Sequence, residues 1–182
     1  QELGVSFLFA SEKYDCGNII VQKKRKINYP IKIDQAIEIV SSLFYEAIND
    51  VFEVIEKGNS LVGYPQNEKE ATYSLWRNDD YSIDLRQDAQ DIARFVDAVG
   101  VPYLGASLFI ENQRVRVLEV EVVDDVTIEN REAGKVIFID NGKPVIVCGS
   151  GLLKIITMID ANTLESILPL KNFRIRFKGR KL

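Results

Sequence analysis

Residues 135–147 read KVIFIDNGKPVIV, which is two short apolar runs joined by Asn141-Gly142. This dipeptide predicts a tight β-hairpin, because both of its positions require the positive φ that asparagine and glycine tolerate best. Apolar runs bounded by turn residues predict further strands at residues 106–110, 114–123, 152–158 and 173–177. So many short strands indicate a small β-barrel or β-sandwich over residues 101–182.

The first part of the chain has a different pattern. Residues 5–9 and the stretch from residue 19 onward are strand candidates, separated by turn-forming residues. A long helix follows, with Asp34 as its predicted N-cap and Gly58 at its C-terminal end. Its apolar residues recur at helical spacing: Ile37, Val40, Phe44, Ala47, Ile48, Val51 and Ile55. Because two strands and a long helix are typical of the end of an α/β sheet, residues 1–60 are predicted to be an incomplete α/β domain.

Residues 61–100 are predicted to be an ordered connector with one short helix. The connector begins as an irregular, polar stretch, but it is too rich in aromatic residues for a passive flexible linker. Asp88 is the predicted N-cap of the short helix, and Gly100 and Pro102 terminate it. We therefore expect the connector to pack along the first domain.

Charge and composition exclude several classes of function. The 182 residues carry a net charge of −4 and include no histidine. The acidic balance argues against a surface built to hold long nucleic acid, although residues 171–182 are basic. The commonest general base near neutral pH is missing, and without histidine or a cysteine cluster no metal site is predicted.

The sequence predicts a cytoplasmic protein. Cys16 and Cys148 lie far apart in the chain and are interpreted as reduced thiols. No apolar run approaches the roughly 18 residues that span a bilayer, and no signal peptide is evident, so no membrane association is expected. The chain opens at Gln1, almost inside a predicted strand, which indicates a fragment of a longer protein.

Three short stretches contain residue types suited to ligand binding or catalysis. Asp15, between two predicted strands, either polarises a neighbouring base or is an exposed acid in a turn, and Gly17 permits a ligand to approach the backbone. Residues 71–77 place aromatics beside Arg77; these either stack on a planar ring and clamp a phosphate or fill grooves between domains. Residues 149–151, Gly-Ser-Gly, are interpreted as a barrel turn rather than a phosphate loop, because no helix follows them.

Taken in order, these pieces resemble the folate-dependent formyltransferase family over nearly the whole chain. The resemblance rests on an ordered set of residues: Gly4-Val5-Ser6, Asp15-x-Gly17-x-Ile19, Gln22, Gln66, Ala71-Thr72-Tyr73, Asp80, Ile83-Asp84, Ala89, Ile92, Arg94, Pro102 and Gly105-Ala106. It implies an α/β fold, in which an incomplete Rossmann-like formyltransferase domain is followed by a small C-terminal OB-like β-barrel. Residues 1–60 would then be the C-terminal portion of the catalytic domain.

The resemblance also implies a reaction. In this family N10-formyltetrahydrofolate donates its formyl group to a primary amine, and catalysis uses an Asn-x-His element together with an aspartate. Asp15 matches that aspartate, so its implied catalytic role is to orient the histidine and stabilise its charged form. The folate lies against the same loop, which implies Lys13, Tyr14, Asp15 and Gly17 as its neighbours. The Asn-x-His element is expected upstream of Gln1, so the 182 residues alone are predicted to be inactive.

The acceptor side leaves three hypotheses open. Tyr73, Trp76 and Arg77 resemble the sugar-nucleotide N-formyltransferases, which implies a nucleotide-linked amino sugar as substrate, a role in lipopolysaccharide or surface polysaccharide biosynthesis and, by analogy, a homodimer. The alternative is a methionyl-tRNA formyltransferase, whose tRNA would need a broad basic stripe where the predicted barrel is instead largely acidic. The third is a non-catalytic barrel module that binds a partner, which would explain the missing catalytic element.

Overall fold

The computed structural model describes residues 1–70, 72, 77–172 and 174–179. The chain divides into two compact units, each with its own sheet. Unit 1 comprises Gln1–Tyr29 and Asp34–Leu75, and unit 2 comprises Pro30–Ile33 and Trp76–Leu182.

Unit 1 consists of a two-stranded antiparallel sheet and one long helix. β1 (Glu2–Leu8) pairs with β2 (Ile19–Lys26), and helix α1 spans Ile33–Glu56. An edge-to-face contact between Phe7 and Phe44, with ring centroids 4.9 Å apart, joins β1 to the helix. The predicted order of strand, turn, strand and long helix is therefore confirmed.

The two ends of α1 correct one prediction and confirm another. Asp34 is not the N-cap, because the helix already begins at Ile33 and Asp34 lies in its first turn. Its carboxylate accepts a 2.8 Å hydrogen bond from the backbone N–H of Gln35, and an acid in the first turn still complements the helix dipole. Gly58 has φ 71° and donates its backbone N–H to the carbonyl of Ile55, as a C-terminal glycine does.

Unit 2 is built on a six-stranded antiparallel sheet. Its strands are β3 (Ala106–Ile110), β4 (Gln113–Val123), β5 (Val136–Asp140), β6 (Lys143–Val147), β7 (Leu152–Asp160) and β8 (Phe177–Lys178). They lie in the order β5-β6-β7-β4-β3-β8. A single bridge between Lys135 and Arg176 brings the two ends of the sheet together, so the sheet curls into a half-barrel.

The turns and strands of unit 2 agree closely with the sequence pattern. Asn141 and Gly142 have φ 50° and 78°, which confirms the predicted hairpin turn between β5 and β6. Residues 149–151 form the turn between β6 and β7, as predicted. The last strand is the exception, because β8 occupies residues 177–178 where residues 173–177 were predicted.

Helix α2 packs on this sheet and closes its core. It spans Ala89–Ala98, and its N-cap Asp88 accepts a 2.8 Å hydrogen bond from the backbone N–H of Gln90, which confirms that prediction. The helix contacts β4 and β7. The core includes these buried side chains: Ile83, Ile92, Val96, Leu108, Val115, Val117, Ile146, Leu153, Ile155, Met158 and Phe177.

The two cysteines lie in different environments. Both are free; Cys16 is exposed and Cys148 is buried. Burial, followed by the charge of Asp88, raises the pKa of the Cys148 thiol to about 12. Across the part of the chain that the structure describes, no helix has the length and apolarity to cross a membrane.

Candidate functional site

The loop that connects β1 to β2, residues 9–18, carries most of the predicted site residues. Its two ends are joined, because the backbone N–H of Phe9 donates a 2.9 Å hydrogen bond to the carbonyl of Asn18. Gly17 is buried inside this closure, and a Cβ added to it would lie 1.7 Å from the carbonyl oxygen of Phe9. Glycine is therefore required at residue 17 by the close approach of two backbone segments.

Gln66 fixes the same loop from the other side. Its side-chain amide donates two hydrogen bonds, each 2.7 Å long, to the backbone carbonyls of Asp15 and Gly17. Ile19 and Tyr64 exchange backbone hydrogen bonds of 2.8 and 3.0 Å, which place the segment that bears Gln66 against the start of β2. The loop backbone is thus held by the hydrogen bond that closes it and by one amide side chain.

The side chains of the loop face solvent, in contrast to its backbone. Asp15 has φ 56° and is exposed, and its carboxylate has no hydrogen bond or ion pair among the described residues. Tyr14 is 97% exposed, and Lys13 is exposed while its carbonyl accepts a 2.7 Å hydrogen bond from the Ser11 hydroxyl. The loop therefore exposes a carboxylate, an aromatic ring and an ammonium group on a hydrogen-bonded backbone, where a ligand or another protein segment can contact them.

The structure brings Lys13, Tyr14, Asp15 and Gly17 together on this loop. Gln66 was part of the family resemblance but was not predicted as a site residue. Gln66 lies 49 positions from Gly17, so no local sequence pattern reveals their contact. The sequence signal that remains is the Asp-x-Gly turn itself, whose carbonyls need a hydrogen-bond donor.

The predicted acceptor-binding residues are only partly described. Tyr73 and Trp76 lie outside the described residues. Arg77 is exposed, and its backbone N–H donates a 2.5 Å hydrogen bond to the carboxylate of Asp80 at the start of a 3-10 turn. Among the residues that the structure covers, no group of three or more histidine, cysteine, aspartate or glutamate side chains is placed to hold a metal ion.

The sequence of unit 2 matches a known family. The protein-family model described as "Formyl transferase, C-terminal domain" matches residues 76–166, which are half of the chain. The methionyl-tRNA formyltransferase of Ehrlichia chaffeensis is 30% identical over 153 residues, which are 84% of this chain and 47% of that protein. That of Ehrlichia ruminantium (strain Gardel) is 26% identical over 167 residues, 91% of this chain and 52% of that protein. The chain thus spans about half the length of these curated relatives.

Solved structures share the fold. HypX from Aquifex aeolicus in complex with tetrahydrofolic acid matches 91% of this chain and 28% of its own, with a TM-score of 0.61 and 21% identity. The N-formyltransferase from Helicobacter canadensis, solved with folinic acid and dTDP-3-aminofucose, matches 85% of this chain and 55% of its own, with a TM-score of 0.57 and 15% identity. The sequence match and the α/β fold with its curled antiparallel sheet confirm the resemblance, and the chain belongs to the formyltransferase family.

Proposed function

We propose that this chain is the folate-side and C-terminal part of an N-formyltransferase, which transfers a formyl group from N10-formyltetrahydrofolate to a primary amine. The observation that carries the proposal is the loop of residues 9–18, whose backbone is fixed by Gln66 while Asp15 projects into solvent. Residues 1–60 are then part of a Rossmann-like catalytic domain, residues 61–100 a connector and residues 101–182 an OB-like barrel.

The donor binds on the solvent face of this loop in our proposal. Lys13, Tyr14, Asp15 and Gly17 are the residues that would surround it. An aromatic ring that is 97% exposed offers a flat apolar surface suited to a planar pterin, because offset stacking is favourable between such rings. Two solved neighbours of this fold were obtained with tetrahydrofolic acid or folinic acid, which supports a folate as the donor.

In the reaction the amine nitrogen attacks the formyl carbon and the bond from that carbon to N10 breaks. The proton that the amine loses passes by way of the base to N10, so that tetrahydrofolate is the leaving group. The role proposed for Asp15 is to accept a hydrogen bond from an imidazole and to stabilise its cationic form as that proton leaves. The 182 residues contain no histidine, so the imidazole comes from outside them. We therefore expect these residues alone to have no formyltransferase activity.

The acceptor has two candidates. A nucleotide-linked amino sugar is favoured by the net charge of −4, since a small ligand needs no broad basic surface; Tyr73, Trp76 and Arg77 would bind it. Methionyl-tRNA is favoured by the two curated relatives described above, which are methionyl-tRNA formyltransferases. If the acceptor is a nucleotide-linked amino sugar, we expect the protein to be a cytoplasmic homodimer, by analogy with sugar formyltransferases.

One chimera tests the function and separates the acceptors. Residues 1–182 are joined to the portion of the Ehrlichia chaffeensis enzyme that they do not match, and formyl transfer from N10-formyltetrahydrofolate is measured with a dTDP-linked amino sugar and with methionyl-tRNA. Asp15→Asn should lower turnover by at least a hundredfold, because the carboxylate no longer orients the base. Glu12→Gln removes a carboxylate from the same loop and should leave turnover within twofold of the parent. Near-normal turnover in Asp15→Asn would contradict the role assigned here, and a folded chimera without transfer to either acceptor would favour the non-catalytic barrel module.

A further inference from the structure

Unit 2 contains a groove that plays no part in the proposed formyl transfer. It has a volume of about 520 Å³ and lies between residues 82–86 and residues 176–179, with Ala133 at one side. None of its lining residues belongs to the loop of residues 9–18.

Close backbone contacts fix the walls of this groove. A Cβ on Gly179 would lie 2.1 Å from the carbonyl oxygen of Ile83, so only glycine lets the two walls approach at that point. Gly134 has φ 91° and accepts a 2.8 Å hydrogen bond at its carbonyl from the backbone N–H of Phe177. The groove is thus part of the rigid frame of the half-barrel, and a ligand would not have to order it.

The groove is positively charged in an acidic chain. Three cations, Arg86, Arg176 and Lys178, line it together with the carboxylate of Asp84. Glu132 contacts Arg176 from outside the lining, so these five residues leave an excess of one positive charge, whereas the whole chain carries −4. Local charge of this kind in a concave surface attracts anions.

Two of these cations are held in position. The guanidinium of Arg86 donates two 2.8 Å hydrogen bonds to the carboxylate of Asp84, and that of Arg176 pairs with Glu132. Arg176, followed by Lys135, lowers the pKa of the Glu132 carboxyl to about 2, so this pair is fully charged at neutral pH. Both guanidiniums are therefore already paired with a carboxylate in the free protein.

Lys178 supplies the third charge. It is exposed and has no ion pair with any residue that the structure describes. Arg176, which bridges to Lys135 immediately before β8, and Lys178 flank the buried Phe177, so their side chains lie on the face of this segment opposite to Phe177.

From this frame and this charge we propose that the groove binds the diphosphate group of a small molecule, with Arg86, Arg176 and Lys178 contacting the phosphate oxygens. Asp84 takes two N–H groups of Arg86, so the remaining N–H groups of that guanidinium are the ones that would donate to phosphate oxygens, while the ammonium group of Lys178 adds a point charge. A nucleoside diphosphate and free pyrophosphate share this chemistry.

Titration of the full chain with pyrophosphate, followed by amide chemical shifts, tests the proposal. Shifts are expected at residues 82–86 and 176–179, and Lys178→Gln should weaken binding about fivefold to tenfold while Lys178→Arg restores it. Lys143→Gln, which removes the same charge from β6, should change the affinity less than twofold. Equal losses in Lys178→Gln and Lys143→Gln, or shifts confined to other residues, would overturn the proposal.

Two further arms define the ligand. ADP should bind at least as tightly as pyrophosphate, and inorganic phosphate several-fold more weakly, because it carries less negative charge. The affinity for a single-stranded RNA of twelve nucleotides is measured in the same way. If this RNA binds more than tenfold tighter than ADP, the surface binds extended polyanions, and the proposal of a compact diphosphate site is refuted.

Discussion

The sharpest prediction concerns Gly17, because the close approach at this residue is a matter of geometry. In Gly17→Ala the new Cβ would start 1.7 Å from the carbonyl oxygen of Phe9, and real Cβ atoms essentially never come within 3.0 Å of such an atom. The loop must therefore move by about 1.3 Å. A shift of that size breaks the 2.9 Å hydrogen bond that closes the loop and both 2.7 Å bonds from Gln66.

Three lost hydrogen bonds at about 1 kcal/mol each destabilise the closed loop by about 3 kcal/mol. Native-state hydrogen exchange measures this directly, since the amide of Phe9 is protected only while the loop is closed. Its exchange should accelerate roughly a hundredfold in Gly17→Ala. Gly4→Ala is the matched control, because its Cβ would lie 3.2 Å from the carbonyl oxygen of Lys23 and needs only a few tenths of an ångström. If the Phe9 amide exchanges at the same rate in both variants, the steric argument is wrong.

Three other perturbations have defined outcomes. Gln66→Leu keeps most of the bulk of the side chain but removes both donors to the loop carbonyls, and it should speed exchange of the Phe9 amide, which closes the loop, by tenfold or more; unchanged exchange would contradict the role of Gln66. Arg176 is the chief cause that lowers the pKa of Glu132 from 4.5 to about 2. The charged carboxylate therefore stabilises the fold fully above pH 4.5, and this stabilisation is lost as the pH falls toward 2. Between those two pH values the free energy of unfolding of Glu132→Gln should depend less on pH than that of the parent. At pH 8 a thiol reagent should modify the exposed Cys16 and leave Cys148 unmodified in the folded chain, because burial raises the pKa of Cys148 to about 12; rapid modification of both would contradict the burial of Cys148.

Local sequence rules predicted the parts of the fold that depend on neighbours in the chain. The turn at Asn141-Gly142 and the cap at Asp88 each follow from the conformational preference of one or two residues, and both are confirmed. Asp34 was misplaced because an acid in the first turn and an acid at the N-cap look alike in sequence. The start of a helix is settled by backbone geometry that composition does not specify.

Features set by distant residues could not be predicted in this way. The contact of Gln66 with Asp15 links residues 51 positions apart, and no periodicity reports such a pair. The same holds for the bridge between Lys135 and Arg176, which curls the sheet. Family resemblance named Asp15 and the loop, but the restraint that holds the loop came only from the three-dimensional structure.

The strand order of unit 2 has a consequence for how that unit folds. β8 pairs with β3 through Phe109 and Lys178, which are 69 positions apart, and the residue just before β8 pairs with Lys135. Until this late segment is in place, β3 and the residue just before β5 expose unpaired backbone groups with which other chains can pair. Loop-closure entropy makes such distant pairing slow. We therefore expect the protein to be most prone to aggregation before the last strand is added. A chaperone that shields these backbone groups should raise the yield of folded protein.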